Sequence, residues 1–269
     1  MFSSQNEQDS RYYAMASMVP IMEPADSAEA HRFAKDAYGI SEQFDTPVMM
    51  RSTVRISHTK TPVEVGERTE VAKRPYKKDC AKWVMMPAFA KPRRKVLVER
   101  ISKIREWVET CPYNTIERNT PEGSNKRIGI ICAGAVYQHV KEACPDADIF
   151  KLGVSWPLPA KALNEFANSV DELHVVEEAS TYLSDAVKAT GVILDSFQMP
   201  LPADGEIHPA DILRSLGRKL PQHRDNENDI PNRPPALCPG CPHRVIFKEL
   251  SRLKAICLLY TSDAADDRI

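Results

Sequence analysis

The chain has 269 residues, 42% of them hydrophobic, and a formal net charge of −1. This length accommodates one large domain or two ordinary ones, with enough apolar material for buried cores. The near-zero charge argues against a general affinity for nucleic acids or membrane surfaces, and no apolar run reaches the roughly eighteen residues of a membrane span. The polar N-terminus lacks a signal-peptide pattern, so we expect a cytoplasmic protein.

Taken from the N-terminus, the first clear element is a helix predicted over residues 27–44. Asp26 and Glu29 stand at the spacing of a capping pair, and apolar residues then recur at helical intervals. Residues 48–54 form an apolar run that predicts a buried parallel strand. The polar residues that follow, 55–59, would lie at the carboxyl end of that strand, where open α/β sheets bind ligands; a solvated loop is the alternative.

Residues 60–95 are rich in lysine, arginine and proline and are interpreted as a connector. Within it, the apolar patch from Trp83 to Phe89 is expected to rest on another surface. Leu97, Ile101, Ile104 and Val108 then recur at the spacing of an amphipathic helix.

A second α/β unit follows, with strands and helices in alternation. Strands are predicted at 127–132, 147–152, 172–177 and 192–195, and helices at 135–143, 159–170, 181–190 and 208–216. This order predicts an α/β fold with parallel sheets and crossover helices.

Two features of this unit are weak signals of chemistry. Its first turn contains only Gly134, whereas a dinucleotide fingerprint needs three glycines, so a packing or docking domain is the better interpretation. Glu177 and Glu178 end a predicted strand, but neighbouring strand residues point to opposite faces. We therefore expect a helix cap or solvent exposure there instead of paired catalytic carboxylates.

The segment CPGCPHR concentrates residues that bind metals or phosphate. Cys238 and Cys241 stand at C-x-x-C spacing, and the other five of the seven cysteines are predicted free thiols. Zinc or an iron–sulfur cluster needs four ligands, and the chain offers no second pair of this spacing. A redox pair, a structural turn and a half-site completed by residues outside the chain stay open.

Several strings, in order along the chain, resemble one family: the alpha subunit of indolepyruvate ferredoxin oxidoreductase, a thiamine-diphosphate-dependent 2-oxoacid:ferredoxin oxidoreductase. They are SSQNEQDSRYYA, SEQFDTPVMMRSTVRISH, PYKKDCAKWVMMPAFAKPRRKVLVER, IGIICAGAVYQHVKEACPDADIFKLGVSWPLP, DELHVVEE and RPPALCPGCPHR. The resemblance covers the chain to about residue 255.

This resemblance implies oxidative decarboxylation of aryl-2-oxoacids such as indolepyruvate to aryl-acetyl-CoA. The implied cofactors are thiamine diphosphate, Mg²⁺ and [4Fe–4S] clusters, with thiamine acting as an electron sink. The implied partners are a beta subunit, ferredoxin, coenzyme A and the oxoacid, with no nucleic acid and no membrane. The rival interpretation is a non-catalytic α/β docking subunit whose C-x-x-C binds zinc or serves as a structural turn.

The resemblance also implies a division of the chain and an internal fragment of the subunit. The predicted parts are the end of a pyrimidine-side cofactor domain (1–66), a connector (67–125), a transketolase-C-terminal-like α/β domain (126–220), a linker with the start of the next cofactor domain (221–256) and a non-native tail (257–269). Because the activating glutamate and the metal–diphosphate motif of the family have no counterpart, we expect this chain alone to be inactive and to bind no cofactor.

Candidate site residues carried over from the family fall into four groups. Gln5, Asn6, Gln8, Asp9 and Arg11 would border cofactor or substrate, and Thr53, Arg55 and His58 would line the same cleft; His243 and Arg244 would contact cofactor, and Cys238 and Cys241 would form an iron–sulfur half-site. The first group could equally be an ordinary polar helix face.

Overall fold

The computed structural model describes residues 8–68, 70, 75–203, 205–221, 241 and 243–253. Residues 8–220 of this set belong to one compact unit, and the others belong to a second. None of the helices in the described ranges has the length and hydropathy that a membrane crossing requires.

The described elements alternate between helices and short strands. The helices are α1 (Arg11–Ser17), α2 (Ser27–Phe44), α3 (Val54–His58), α4 (Cys80–Trp83), α5 (Pro87–Val108), α6 (Val136–Ala143), α7 (Ala160–Ala167), α8 (Tyr182–Lys188), α9 (Pro209–Ser215) and α10 (His243–Arg252). The strands are β1 (Ile21–Met22), β2 (Met49–Met50), β3 (Thr115–Glu117), β4 (Ile128–Ala133), β5 (Asp148–Leu152), β6 (Val154–Trp156) and β7 (Glu172–Val176).

The larger sheet has the order β3-β5-β4-β7, and its last three strands are parallel. Alternate residues of β4 face opposite sides, as strand geometry requires. Ile130 and Cys132 pack into the core under α6 and α9, and Ile131 and Ala133 pack into the core under α7 and α8. The predicted α/β fold with a parallel sheet is therefore confirmed; β3 adds an antiparallel edge strand that the sequence did not indicate.

A smaller sheet joins the N-terminal elements to the α/β unit. Its central strand β1 pairs parallel with β2 and antiparallel with β6. Helix α2 covers it, with Phe33 and Ile40 buried against Met22, Val108 and Val154. The first and second α/β parts thus share one core.

The predicted capping pair of α2 is present, with a different geometry from the usual capping box. The Asp26 side chain accepts a hydrogen bond from the Glu29 amide at 2.8 Å, as predicted. Glu29 in return accepts from the Ala25 amide at 3.0 Å, one residue before the cap. Both bonds satisfy amides at the start of the helix, which explains why α2 begins at Ser27.

Two predicted strands are wrong. The strand predicted over 48–54 is only Met49–Met50, because the Thr53 hydroxyl accepts a hydrogen bond from the Ile56 amide and starts α3. The strand predicted over 192–195 does not form, although Asp195 sits beside β7. There the Leu173 amide donates to the Asp195 carboxylate, and the Asp195 amide donates to the Leu173 carbonyl. The Asp195 side chain thus takes the place of a backbone carbonyl that a further strand would offer to Leu173.

Helix α5 contains the predicted amphipathic stretch but begins earlier, at Pro87. Its buried residues are Ile101, Ile104 and Val108, three of the four predicted positions. The preceding apolar patch does not rest on another surface of the described chain: the exposed fractions of Trp83 and Met85 are 66% and 57%.

Gly153, between β5 and β6, predicts a sharp test of packing. A Cβ there would overlap the Tyr113 carbonyl oxygen and crowd the Phe33 ring. We expect Gly153→Ala to lower the free energy of unfolding by about 1–3 kcal/mol, since overpacked backbone cannot relax cheaply. Gly39→Ala is the matched control, because Gly39 lies in α2 with open space around its Cα. That change should raise stability by about 0.5–1 kcal/mol. Denaturant midpoints at unchanged m-values measure the stability of each variant. Equal changes in stability for Gly153→Ala and Gly39→Ala would contradict this packing.

Candidate active site

Arg11, the first residue of α1, is an almost fully buried cation. Its guanidinium pairs with Asp9 at 2.6 Å and with Glu177 at 3.1 Å, and it donates to the Glu178 carbonyl at 3.1 Å. The Ser180 hydroxyl donates to the same Asp9 carboxylate. This cluster fixes the N-terminal segment to the carboxyl end of β7.

The two carboxylates of this cluster respond differently to burial. Burial alone would raise the pKa of Asp9, but the Arg11 and Ser180 hydrogen bonds outweigh it, and the pKa lies below its usual value. For Glu177 burial dominates and the pKa is raised, despite Arg11 and three hydrogen bonds from the start of α8. Two of these come from the Leu183 and Ser184 amides at 2.7 and 2.8 Å. The expectation that Glu177 caps a helix is therefore confirmed.

Arg55, on α3, is the centre of a second charged cluster. It lies 3.3 Å from Glu178 and 2.8 Å from Glu206, and it also contacts the Nε2 atom of His139 on α6. Burial and the adjacent Arg55 guanidinium lower the pKa of His139. His139 is therefore neutral at neutral pH and can accept a hydrogen bond from Arg55.

A cavity of ≈ 30 Å³ lies between these two clusters. Its walls are Gln8, Arg51, Thr53, Val54, Arg55, Glu178, Ala179 and Glu206. This volume admits one or two groups of the size of a water molecule. It is therefore large enough for a carboxylate group, and too small for an aromatic ring.

Two arginines contribute guanidinium groups to this wall. Arg51 Nη1 donates to the buried Glu23 at 2.7 Å, and Arg51 Nε is buried without a hydrogen-bond acceptor among the described residues. Arg55 Nη2 lies 2.8 Å from the Glu206 carboxylate, and this interaction lowers the pKa of Glu206. A guanidinium presents parallel N–H donors that match the shape of a planar anion.

The structure brings together part of the predicted site. Gln8, Thr53 and Arg55 line the cavity, and Asp9 and Arg11 lie one contact behind it, through Glu177 and Glu178. His58 is exposed at the end of α3 and is absent from the cavity wall. Gln5 and Asn6 lie outside the described residues.

The C-terminal candidates belong to the second unit. Cys241 is partly exposed, His243 begins α10, and the Arg244 amide donates to the Cys241 carbonyl at 3.2 Å. Cys238 lies outside the described residues. Across the described part of the chain, no group of three or more His, Cys, Asp and Glu side chains could hold a metal ion. Because Cys238 is not among the described residues, the iron–sulfur half-site of Cys238 and Cys241 stays a prediction.

Sequence reasoning missed three charged residues of the cavity wall: Arg51, Glu178 and Glu206. Arg51 follows β2 directly, so its position at a strand end was a usable signal. Glu178 was considered only as half of a carboxylate pair. Glu206 lies in the irregular segment before α9, where no periodicity or motif indicates a site.

A larger cavity of ≈ 530 Å³ adjoins the same strand end. It shares Ala179 with the small cavity and is lined by apolar side chains such as Leu194, Phe197 and Leu201, with Ser184 and Lys188 at its wall. Its size is in the range of small-molecule sites. The carboxyl end of β7 thus borders both cavities.

The fold and the site together define an α/β protein with a small charged cleft beside the carboxyl ends of β2 and β7. No family model matches the chain. It is 34% identical over 269 aligned residues to "Indolepyruvate oxidoreductase subunit IorA" of Methanothermobacter marburgensis, with 94% of this chain and 43% of that protein covered. The subunits of the same name from Thermococcus kodakarensis and Archaeoglobus fulgidus are 33% and 31% identical, with 98% and 94% of this chain and 44% and 43% of those proteins covered.

The resemblance predicted from the sequence is therefore confirmed: nearly the whole chain is similar to a segment of indolepyruvate oxidoreductase subunit IorA. The chain spans less than half the length of these relatives. Among solved structures, a 2-oxoglutarate:ferredoxin oxidoreductase from Magnetococcus marinus is 13% identical, with a TM-score of 0.41 and coverage of 68% of this chain and 40% of that chain. At this TM-score the likeness does not establish a shared fold.

Proposed function

We propose that this chain is part of an oxidoreductase subunit that oxidatively decarboxylates aryl-2-oxoacids, with indolepyruvate as the model substrate. Coenzyme A would receive the acyl group and ferredoxin would receive the electrons. A beta subunit would be the partner of this subunit. The support is the similarity to IorA subunits along 94% of the chain. The boundaries of the cofactor domains, the cofactors and the inactivity of the chain alone are parts of the same proposal.

The observation that carries the proposal is the small cavity at Arg51 and Arg55. A 2-oxoacid presents a planar carboxylate, and the guanidinium fork matches that shape with two parallel N–H donors. Glu206 now lies beside Arg55 and is partly exposed. A substrate carboxylate would compete with Glu206 for Arg55. The Glu206–Arg55 ion pair would therefore lower the affinity of the site for the substrate.

The role of these residues is to hold and orient the anion before its carbon–carbon bond breaks. Neutral His139 and the carboxylates of Glu178 and Glu206 fix the Arg55 guanidinium from three sides. Thiamine diphosphate, when bound, would supply the electron sink that decarboxylation needs. Within the described residues, no group of three or more His, Cys, Asp and Glu side chains could hold its metal ion, and the residues named here act on the substrate anion alone.

The test is turnover by the full-length subunit assembled with its partner. With indolepyruvate, coenzyme A and oxidised ferredoxin, we expect one CO₂ and one aryl-acetyl-CoA for every two electrons transferred. Omitting coenzyme A or replacing the oxoacid by the corresponding 2-hydroxyacid should abolish acyl-CoA formation. A folded, cofactor-loaded complex that releases no CO₂ from any aryl-2-oxoacid would contradict the proposal.

A further inference from the structure

A groove between α4 and α5, remote in sequence from the cavity residues, concentrates positive charge. Its volume is ≈ 350 Å³, and its cationic walls are Lys82, Arg93, Arg94 and Arg100. One carboxylate, Asp45 at the end of α2, faces three of them: Lys82 at 2.5 Å, Arg100 at 3.4 Å and Arg93 at 3.9 Å. The residues that line the groove thus include four cations and no carboxylate, in a chain whose formal net charge is −1.

The Asp45 carboxylate already pairs with three of these cations. The hydrogen bond from Lys82, together with the charges of Arg100 and Arg93, holds the pKa of Asp45 below its usual value. Arg94 donates to the neutral sulfur of Met18 at 3.5 Å. The groove therefore keeps unbalanced cations whose mutual repulsion opposes folding and would be relieved by an added anion.

Helix α5 carries further cations that the fold does not require. Lys91 and Lys95 are both exposed. Lys91 lies three residues before Arg94, and Lys95 lies one residue after it. Like charges three or four residues apart destabilise a helix. These two lysines lie outside the groove wall and are not part of the surface considered below.

Exposed apolar side chains border the groove. The exposed fractions of Trp83, Met85 and Met86 are 66%, 57% and 55%, and Met85 is also part of the groove wall. The Lys82 ammonium lies 4.6 Å from the centre of the Trp83 ring. Tryptophan, methionine and arginine are the residue types enriched in protein interfaces, and tryptophan and arginine are those most often found as binding hot spots.

We propose that the α4–α5 groove docks an acidic protein segment that also carries large apolar side chains. Carboxylates of the segment would pair with Arg93, Arg94 and Arg100, and its apolar residues would cover Met85 and Trp83. A nucleic acid or free phosphate would satisfy the charge, but neither would bury the methionines. The apolar border therefore favours a protein segment, and this inference does not depend on the proposed activity.

Binding of a fluorescein-labelled peptide that alternates glutamate and leucine to the full chain, followed by anisotropy, tests this surface. We expect saturable binding that the double variant Arg93→Ser/Arg94→Ser weakens about tenfold or more. The matched control is Lys91→Ser/Lys95→Ser, which removes the same charge from the same helix outside the groove and should change the affinity less than about twofold. A glutamate–serine peptide of equal charge should bind more weakly than the glutamate–leucine peptide.

A second variant keeps the proposal testable if the arginine variant does not fold. Asp45→Asn removes the competing carboxylate while asparagine tolerates the left-handed backbone at φ 51. We expect it to tighten peptide binding about threefold, and Glu99→Gln, the same charge change on α5 outside the groove wall, to leave it unchanged. Absence of peptide binding, equal losses in both double variants, or binding confined to pyrophosphate or a single-stranded oligonucleotide would overturn the proposal.

Discussion

Replacing Arg11 by methionine is expected to lower the free energy of unfolding by about 3–5 kcal/mol. Methionine keeps much of the aliphatic volume but leaves Asp9 and Glu177 as buried carboxylates without their cation; their side chains are only 5% and 9% exposed. An unpaired buried charge is far more costly than the loss of a surface ion pair. The change would also release the N-terminal segment from the end of β7.

The pH dependence of this variant separates lost charge pairing from lost packing. Without Arg11, burial is opposed only by the Ser180 hydrogen bond to Asp9 and the hydrogen bonds from α8 to Glu177, so we expect the pKa values of both carboxyls to rise in the folded state above their unfolded values. The folded variant then binds more protons than the unfolded chain, and its stability increases as the pH falls from neutral towards about 5. In the wild type the lowered pKa of Asp9 acts in the opposite direction, because its contribution is present above the unfolded pKa and is lost as the pH falls below it.

The difference in the free energy of unfolding between wild type and Arg11→Met should therefore be smaller at about pH 5 than at neutral pH. Arg32→Met is the control, because that arginine is 52% exposed and its ion pair is an i,i+3 pair with Glu29 on α2. Its cost should be below about 1 kcal/mol at either pH. A deficit for Arg11→Met that is small, or the same at both pH values, would show that the cluster contributes packing alone.

Much of the larger sheet was predictable because its three parallel strands are almost entirely buried. Ile128–Ala133 is a continuous apolar run, as is typical of parallel strands covered on both faces, and Asp148–Leu152 departs from that composition only at Asp148 and Lys151. The smaller sheet was not predictable, since β1 and β2 are two residues long and have no measurable period. Their pairing depends on tertiary contacts that only the shared core under α2 provides.

The site was predictable to the extent that it lies near recognisable strings. Gln8, Thr53 and Arg55 come from segments that resemble the family, and they meet at the cavity. The helical conformation of 54–58 was missed because the cap at Thr53 outweighed the strand preference of β-branched neighbours. Glu206 was missed because the fold brings it to Arg55 from an irregular segment with no pattern of its own.

Replacing Arg55 by methionine in the full-length subunit is expected to reduce kcat/KM for indolepyruvate about 10²- to 10³-fold. The change removes the guanidinium fork and leaves Glu178 and Glu206 to repel the incoming carboxylate. Truncation of one partner of a desolvated charge pair typically costs about 2–5 kcal/mol. The loss should appear mainly in KM, because Arg55 would bind the charged carboxylate of the bound substrate, and that charge leaves the carboxylate as CO₂ forms. Arg55→Lys keeps the charge but not the guanidinium fork. Its kcat/KM should lie between those of the wild type and Arg55→Met.

The measurement that tests the carboxylate site most directly is this kinetic comparison, made with Arg55→Met and Arg214→Met side by side. Arg214 is half exposed on α9 and pairs only with Asp211 in the described contacts, so its loss controls for removal of one arginine. With both variants folded and assembled, we predict a loss of kcat/KM of about 10²-fold or more for Arg55→Met and less than about twofold for Arg214→Met. Equal kcat/KM values for Arg55→Met and wild type would contradict the assignment of this cavity to the substrate carboxylate.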